Sequence, residues 1–297
     1  MQVIKKSPNY LDNNFIYYLT IALLAILYAP LLIHWYDGWL NKSINLEHEY
    51  FSHGIIGLPF AFYISWLKRK KWQRLPDKFN PWGIFILTLG ITLYITGAID
   101  LVNFSFPLVL IGICLYFKGI AGVKLQAFPL FLVFFATPNS VPYLITSWTL
   151  PLQKFIAVVA GFILMQFGMN VTVEEIYLSV GGKLVEVAPY CAGLKMLFTT
   201  LYVGSMLLYW TDNHRDTKKV TTLLTSAVII SVLANIIRNT ILTFFHGTGR
   251  DDLFYWLHDS WGGDLYSALM LGIIVLLINF LDREETDVLD NPSPQDN

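Results

Sequence analysis

Residues 101–117, LVNFSFPLVLIGICLYF, run for seventeen positions without a charge. One such run can be buried in a water-soluble core; a chain with eight or nine of them cannot satisfy them all that way. Comparable apolar blocks cover Phe15–Ile33, Gly54–Leu67, Trp82–Ala98, a broken pair at Leu125–Ala136 and Tyr143–Phe167, Cys191–Trp210, Val220–Phe245 and Leu265–Leu281. Each approaches the roughly 20 residues that cross a bilayer's hydrocarbon core. Charged residues make up 14% of the chain, against about 25% in soluble domains. The blocks are too continuous for the short alternating strands of a membrane β-barrel. The expected fold is therefore all-α: a polytopic transmembrane helical bundle of about eight spans. The formal net charge of −1 gives no basic field for nucleic acid, and the chain has no Gly-rich phosphate loop.

Lys and Arg in short loops set the orientation of such a bundle. Lys5 and Lys6 put the N-terminus in the cytoplasm, and KRKKWQRLPDK (Lys68–Lys78) and DNHRDTKK (212–219) read as inner loops, with Lys118 and Lys124 flanking another. The first apolar block has no small-residue cleavage site and reads as a retained span. The organisation expected is a cytoplasmic N-terminus (1–14), one multi-pass membrane domain (15–281) and a disordered, acidic cytoplasmic tail (282–297). Between Lys124 and Arg215 the crossings must come out even. Leu125–Phe167, broken at TPNSVP by Pro138 and Pro142, which cannot continue a helix, must then cross once. Either the first piece crosses and the second lies along the outer face, or one piece re-enters; the sequence leaves this open. Tryptophans 35, 39, 66, 72, 82, 256 and 261 fall near span ends and read as interfacial anchors.

One polar insertion, GMNVTVEEIYLSVGGKLVEVAPY, mixes β-branched residues with Gly181-Gly182 and suits a small outer-face hairpin. It delivers the chain to Cys191, at the start of an inward-running span. There the helix dipole and free N–H groups favour a thiolate. The following outward span carries Arg238 within apolar sequence. A charge at that depth costs at least about 2.5–3.5 kcal/mol on insertion scales and marks a functional site by default. Asn235 and Asn239, one turn apart, share its side of the helix. The next outer loop carries His258, an imidazole of the type that titrates near neutral pH. A thiolate, a fixed cation and an imidazole thus arrive at one depth on one side. Glu186, Lys195, His246 and Asp259 are candidates to support them, and the sequence does not choose among these four.

Other constellations fail. HEYFSH (His48 to His53) lacks the spacing that puts two imidazoles one helical turn apart, and no metal or cofactor site is expected. HDS (258–260) cannot form a triad relay between adjacent side chains. Cys114 reads as a small buried hydrophobe.

PYCAGLKML, ANIIRNTIL and LHDSWGG, in that order, resemble the boxes of the exosortase/archaeosortase family, most like a cyanobacterial-type exosortase. SHGIIGLPFAFYISW, from Ser52, is similar to the family's early Ser-His-Gly segment. The likeness spans about Phe51 to Leu281. It departs from the family at Ala192, where serine is common, and in the long, charged GTGRDDLFYW. The resemblance implies a membrane-embedded cysteine transpeptidase in the plasma membrane, its site facing outside. Its partners would be exported proteins whose C-terminal sorting signal combines a Pro-Glu-Pro-type motif, a span and a basic tail, alongside membrane lipids. Cys191 would be the nucleophile forming a thioester, Arg238 the oxyanion donor and His258 the acid and base. The acceptor would be water, a lipid amine or a surface polymer. The rival reading is a transporter or lipid-handling permease, in which Arg238 binds an anionic group and the broken segment is a discontinuous helix.

Overall fold

The computed structural model describes residues 10–40, 50–188 and 193–290. The helices are α1 (Tyr10–Leu40), α2 (Gly54–Leu67), α3 (Arg69–Arg74), α4 (Pro81–Ile95), α5 (Ile99–Ala136), α6 (Val141–Leu144), α7 (Thr146–Gln166), α8 (Leu194–Trp210), α9 (Thr217–Gly247), α10 (Asp251–Asp259) and α11 (Trp261–Asp290). Between α7 and α8 lies a three-stranded antiparallel sheet, β1 (Val171–Glu174), β2 (Tyr177–Val180) and β3 (Lys183–Glu186), in the order β1-β2-β3. Leu19–Leu40, Ile99–Ala136, Trp148–Gln166, Thr217–Gly247 and Trp261–Leu281 are long and apolar enough to cross a membrane, and Gly54–Leu67 and Pro81–Ile95 are shorter apolar helices. The chain is a helical membrane protein. Its last helix runs on to Asp290, into the acidic segment read from the sequence as an unstructured tail.

α5 is two helices joined at Gly119, whose φ of 58° and ψ of −153° belong to a region only glycine enters without strain. The kink reverses the chain. Its first arm packs on α4 through small residues: a Cβ on Gly83 would meet the Tyr116 backbone at 2.6 Å, and one on Gly112 would meet Leu87 at 2.8 Å. Such close approach replaces the missing hydrophobic drive between helices in lipid. Two cations staple the turn region. Lys118 Nζ donates to the Leu75 carbonyl (2.8 Å) and pairs with Asp77 (2.6 Å), while Lys68 Nζ donates to the Leu125 carbonyl at 2.7 Å.

Polar links fix α1 against the same arm: Trp35 Nε1 donates to Asn103 Oδ1 at 2.7 Å, and Tyr28 and Ser105 share a hydrogen bond of 3.0 Å. Trp35 is fully buried, and Trp39 and Trp72 are nearly so. The interfacial role expected for these three is replaced by packing and, for Trp35, by an amide acceptor that satisfies the indole N–H at depth. Trp66, Trp82 and Trp261 are more than half exposed, in keeping with that role.

The break at TPNSVP is real, and the path through it follows from contacts. Ile145, just before α7, packs with Tyr50, Phe51 and Leu194, the first residue of α8. At the other end of α7, Leu164 packs on Val171 and Leu178 of the sheet, and the α9 residues in that core are Val232, at its midpoint, and Ile236 and Phe244 beyond it. Both ends of α7 therefore sit at the same end of the bundle. Its length and hydropathy would allow it to cross; its neighbours show that it lies across the bundle end. Eight apolar helices among the described residues then run lengthwise: α1, α2, α4, both arms of α5, α8, α9 and α11.

The polar insertion forms a three-stranded meander rather than the single hairpin expected. Val171 pairs with Val180 and Tyr177 with Glu186. Leu178 and Val180 turn into the core formed by Ile156, Ala160 and Leu164 of α7 and Ile236 of α9. The β2–β3 turn abuts the end of α9, where a Cβ on Gly181 would lie 2.5 Å from the Gly247 carbonyl oxygen.

Candidate active site

The sheet, the C-terminal half of α9 and the short amphipathic α10 meet over one cleft of about 170 Å³. It is lined by Leu184, Val185 and Glu186 of β3, Asn239, Leu242 and His246 of α9, and Phe254 and His258 of α10. Three residues singled out in the sequence, Glu186, Asn239 and His258, thus share one cavity wall. His246, one of the four unresolved candidates, joins them.

Cys191 lies outside the described residues, with Pro189, Tyr190 and Ala192. The chain on either side is described. Val187 and Ala188 are buried behind β3. Gly193 precedes α8 with a φ of 84°, left-handed backbone that costs a residue with a side chain about 1–2 kcal/mol. A Cβ on Gly193 would also lie 2.8 Å from Asn235 Cγ and 2.9 Å from its Nδ2. Asn235 is fully buried, and neither atom of its amide has a hydrogen-bond partner among the described residues. Buried amides are ordinarily paired, so a polar side chain stands against the chain two residues past Cys191. Asn239 Nδ2 donates to the Asn235 carbonyl at 2.9 Å, which orients the second amide along the same helix face.

Arg238 departs from the face-sharing expected of it. Asn235 and Asn239 turn toward Gly193 and the cleft, whereas Arg238, half-buried, turns toward the start of α11. A Cβ on Gly263 would sit 3.7 Å from Arg238 Nη2 and 3.8 Å from the His258 carbonyl oxygen. The guanidinium and the His258 backbone therefore border one point. Arg238 forms no ion pair or hydrogen bond with the described residues, so its charge is uncommitted there. Below it, the Tyr266 hydroxyl donates to the Ala234 carbonyl, tying α11 to α9.

His258 is held from two sides. Its Nδ1 is 2.7 Å from Asp259 Oδ1, and its ring stacks on Phe254 at 5.3 Å and 9°. The other face of the cleft repeats the motif. His246 Nδ1 is 2.9 Å from Asp251 Oδ1, its ring is 5.0 Å from the same Phe254, and Asp251 takes two hydrogen bonds from Lys183 of β3, at 2.7 and 2.8 Å. Bonding to Lys183, and then to His246, holds the Asp251 carboxyl below its usual range. Two imidazole–carboxylate pairs thus flank one phenylalanine. A carboxylate on one ring nitrogen fixes which tautomer and edge the other nitrogen presents. The signal for the second pair was the His246–Asp251 spacing across a helix end, which no sequence period marks. Lys195 lies in the first turn of α8, half-buried.

Among the described residues, no group of three or more His, Cys, Asp or Glu could hold a metal ion. The discontinuous-helix reading loses its main support at residues 137–141. There Asn103 Nδ2 donates to the Pro138 carbonyl (2.9 Å), Asn139 Nδ2 to the Thr137 carbonyl (2.8 Å), and the Val141 N–H to Asn139 Oδ1 (2.9 Å). The broken backbone is bonded to its own neighbours rather than presented to a solute.

The model of the transmembrane exosortase family matches residues 35–275. No curated protein and no solved structure matches the chain significantly.

Proposed function

The chain belongs to the transmembrane exosortase family, membrane transpeptidases that act on sorting signals, and from that premise we propose that it cuts the C-terminal sorting signal of exported proteins through a Cys191 thioester. The thiolate attacks the scissile carbonyl. Arg238 donates to the oxyanion, a contribution of about 3–4 kcal/mol for a preorganised donor. The C–N bond breaks as His258 gives a proton to the leaving amine, and the thioester remains on Cys191. His258 then takes a proton from the incoming acceptor, and the thiolate leaves. Proton transfer of this kind contributes about 10²–10⁴-fold. Asp259 keeps the His258 ring in one tautomer. Asn235, Asn239, Glu186 and Lys195 support the site, Asn235 through its contact with Gly193. The substrate is expected to carry a Pro-Glu-Pro-type motif ahead of its span and basic tail, its span packing laterally to hold the motif at the level of Cys191. The site faces the outside of the plasma membrane, and both termini lie in the cytoplasm.

The observation that most supports this reading is the approach of the Arg238 guanidinium and the His258 backbone to Gly263, beside a cleft that the His258 side of α10 lines and whose α9 wall also closes on Gly193. The test is co-expression with a tagged substrate bearing such a signal, followed by mass spectrometry of its new C-terminus. Cys191→Ala should abolish cutting, and Arg238→Lys should reduce it by at least about 100-fold, since an ammonium does not reproduce the guanidinium fork. A wild-type adduct released by hydroxylamine should accumulate when acceptor is withheld. Normal cutting by Cys191→Ala would rule out the assignment.

A further inference from the structure

At the opposite end of the bundle from the sheet, a second and larger cleft of about 590 Å³ opens between Lys68 and α3, the second arm of α5, and the end of α8 with the α8–α9 turn. Its size falls within the roughly 300–1,000 Å³ typical of small-molecule sites. Its wall carries Lys68, Lys71, Lys124 and Arg215 against a single carboxylate, Asp212. Topology alone asks for basic loops at one membrane face; it does not ask that cations from three separate elements converge on one cavity.

These cations are not equivalent. Lys68 is committed to the Leu125 carbonyl and lies 5.2 Å over the Tyr209 ring. Asp212 faces His214 at 3.5 Å. Lys71, Lys124 and Arg215 are exposed, and none has a carboxylate partner among the described residues. Three like charges around one cavity repel one another unless an anion enters. The floor is aromatic and ordered. Phe128 stacks on Tyr209 at 3.8 Å and 3°, and His214 also stacks on Tyr209, at 4.9 Å. The depth is marked too. Trp66, two residues before Lys68, and Trp210, next to Tyr209, are both more than half exposed. Exposed tryptophans of membrane proteins sit at headgroup level, and basic pockets between spans at that level take anionic headgroups.

We propose that this cleft binds a phosphate-bearing anion: Lys71, Lys124 and Arg215 hold the phosphate and the Phe128–Tyr209 stack carries the apolar part of the ligand. The depth favours the phosphodiester of an anionic lipid. A soluble phosphate-bearing molecule offers the same chemistry, and the test separates the two. It does not depend on the transpeptidase reading, since no residue of that site is involved.

The purified full chain in uncharged detergent is melted with phosphatidylglycerol, with phosphatidylcholine of the same acyl chains, and with inorganic phosphate against chloride at matched ionic strength. Phosphatidylglycerol should raise Tm by about 5 °C or more near saturation, phosphatidylcholine by much less. Lys71→Gln/Lys124→Gln/Arg215→Gln should lose that shift, while Lys70→Gln/Arg74→Gln/Lys218→Gln, with the same change of charge outside the cleft, should keep it. A shift given by phosphate alone, and lost in the cleft variant, assigns the site to a soluble ligand; a shift given by lipid alone assigns it to a headgroup. If the cleft triple variant folds poorly, Lys124→Gln alone is read by the phosphatidylglycerol retained in native mass spectrometry, with a loss of about tenfold in occupancy ratio expected for one removed contact. Equal shifts in the two triple variants, or equal shifts from the two lipids, overturn the proposal.

Discussion

At Gly193 two independent constraints fall on one residue: a backbone angle that disfavours any side chain, and an Asn235 amide where a Cβ would go. Gly193→Ala should therefore reduce substrate cutting by more than the roughly tenfold that left-handed strain alone would give. The melting temperature should fall by a few degrees as well, and the loss of cutting should persist at temperatures where the variant is fully folded. Asn235 separates structure from function in another way. Replacing a buried, unpartnered amide by an apolar group of similar shape is nearly neutral or stabilising. Asn235→Leu should melt at or above the wild-type temperature while cutting falls at least tenfold. If activity falls only in step with stability, Asn235 is packing and nothing more. Arg238 was legible in the sequence because a charge inside an apolar run has few structural excuses. Asn235 was legible only as its neighbour, since burial and an unpaired amide are properties of the fold. Nor did helical spacing resolve direction: residues three and four apart share a broad face, yet here Arg238 turns to α11, Asn235 to Gly193 and Asn239 to the cleft.

Elements were read from the sequence where their signal is hydropathy, and missed where it is a backbone angle or a partner. The span limits from Gly54–Leu67 to Leu265–Leu281 lie close to the observed helices because apolar runs end where charge begins. Glycine is common in membrane helices, so nothing distinguished Gly119 from its neighbours. At its φ of 58° and ψ of −153°, Gly119→Ala should cost about 1–3 kcal/mol, seen as a lower melting temperature in detergent; Gly272, a helical glycine with open space around it, is the control at which alanine should change little. Trp35, Trp39 and Trp72 were misread for a related reason. An indole near a span end can face lipid or core, and Trp35 faces core because Asn103 waits there. The sheet's attachment to α10 is electrostatic at its outer edge, through Lys183, Asp251 and His246. A carboxyl held below its ordinary pKa contributes stability at pH above the unfolded value of about 3.9, and loses it as pH falls through the folded value. Amide exchange in β3, relative to β1, should accelerate between pH 6 and pH 3 in the wild type. In Asp251→Asn it should already be fast at pH 6 and show no further relative change. Matching profiles in the two proteins would mean that this ion pair does not hold the strand.

For the molecule as a whole, the question left open by the sequence is which path the broken Leu125–Phe167 segment takes, and the answer decides whether the cleft can meet an exported substrate. Charge counting required Leu125–Phe167 to make one net crossing but could not say whether its second piece lies along the outer face or one piece re-enters, because hydropathy scores α7 as a span in its own right. The contacts of Ile145 with Leu194 and of Leu164 with the sheet put both ends of α7 beside the site. A helix of this length reaches about 31 Å, enough to span the bundle end between the start of α8 and the sheet. The prediction is topological. In a chain lacking its own cysteines, Val141→Cys before α7 and Asn170→Cys after it should react with a membrane-impermeant maleimide added from the same side of the membrane. Lys71→Cys and Arg215→Cys, in the basic cleft at the other end, should react only from the opposite side. Labelling of Val141→Cys and Asn170→Cys from opposite sides would make α7 a true span. It would also carry the sheet, and with it the Glu186 edge of the cleft, to the face that holds Lys124, where no exported protein could reach it.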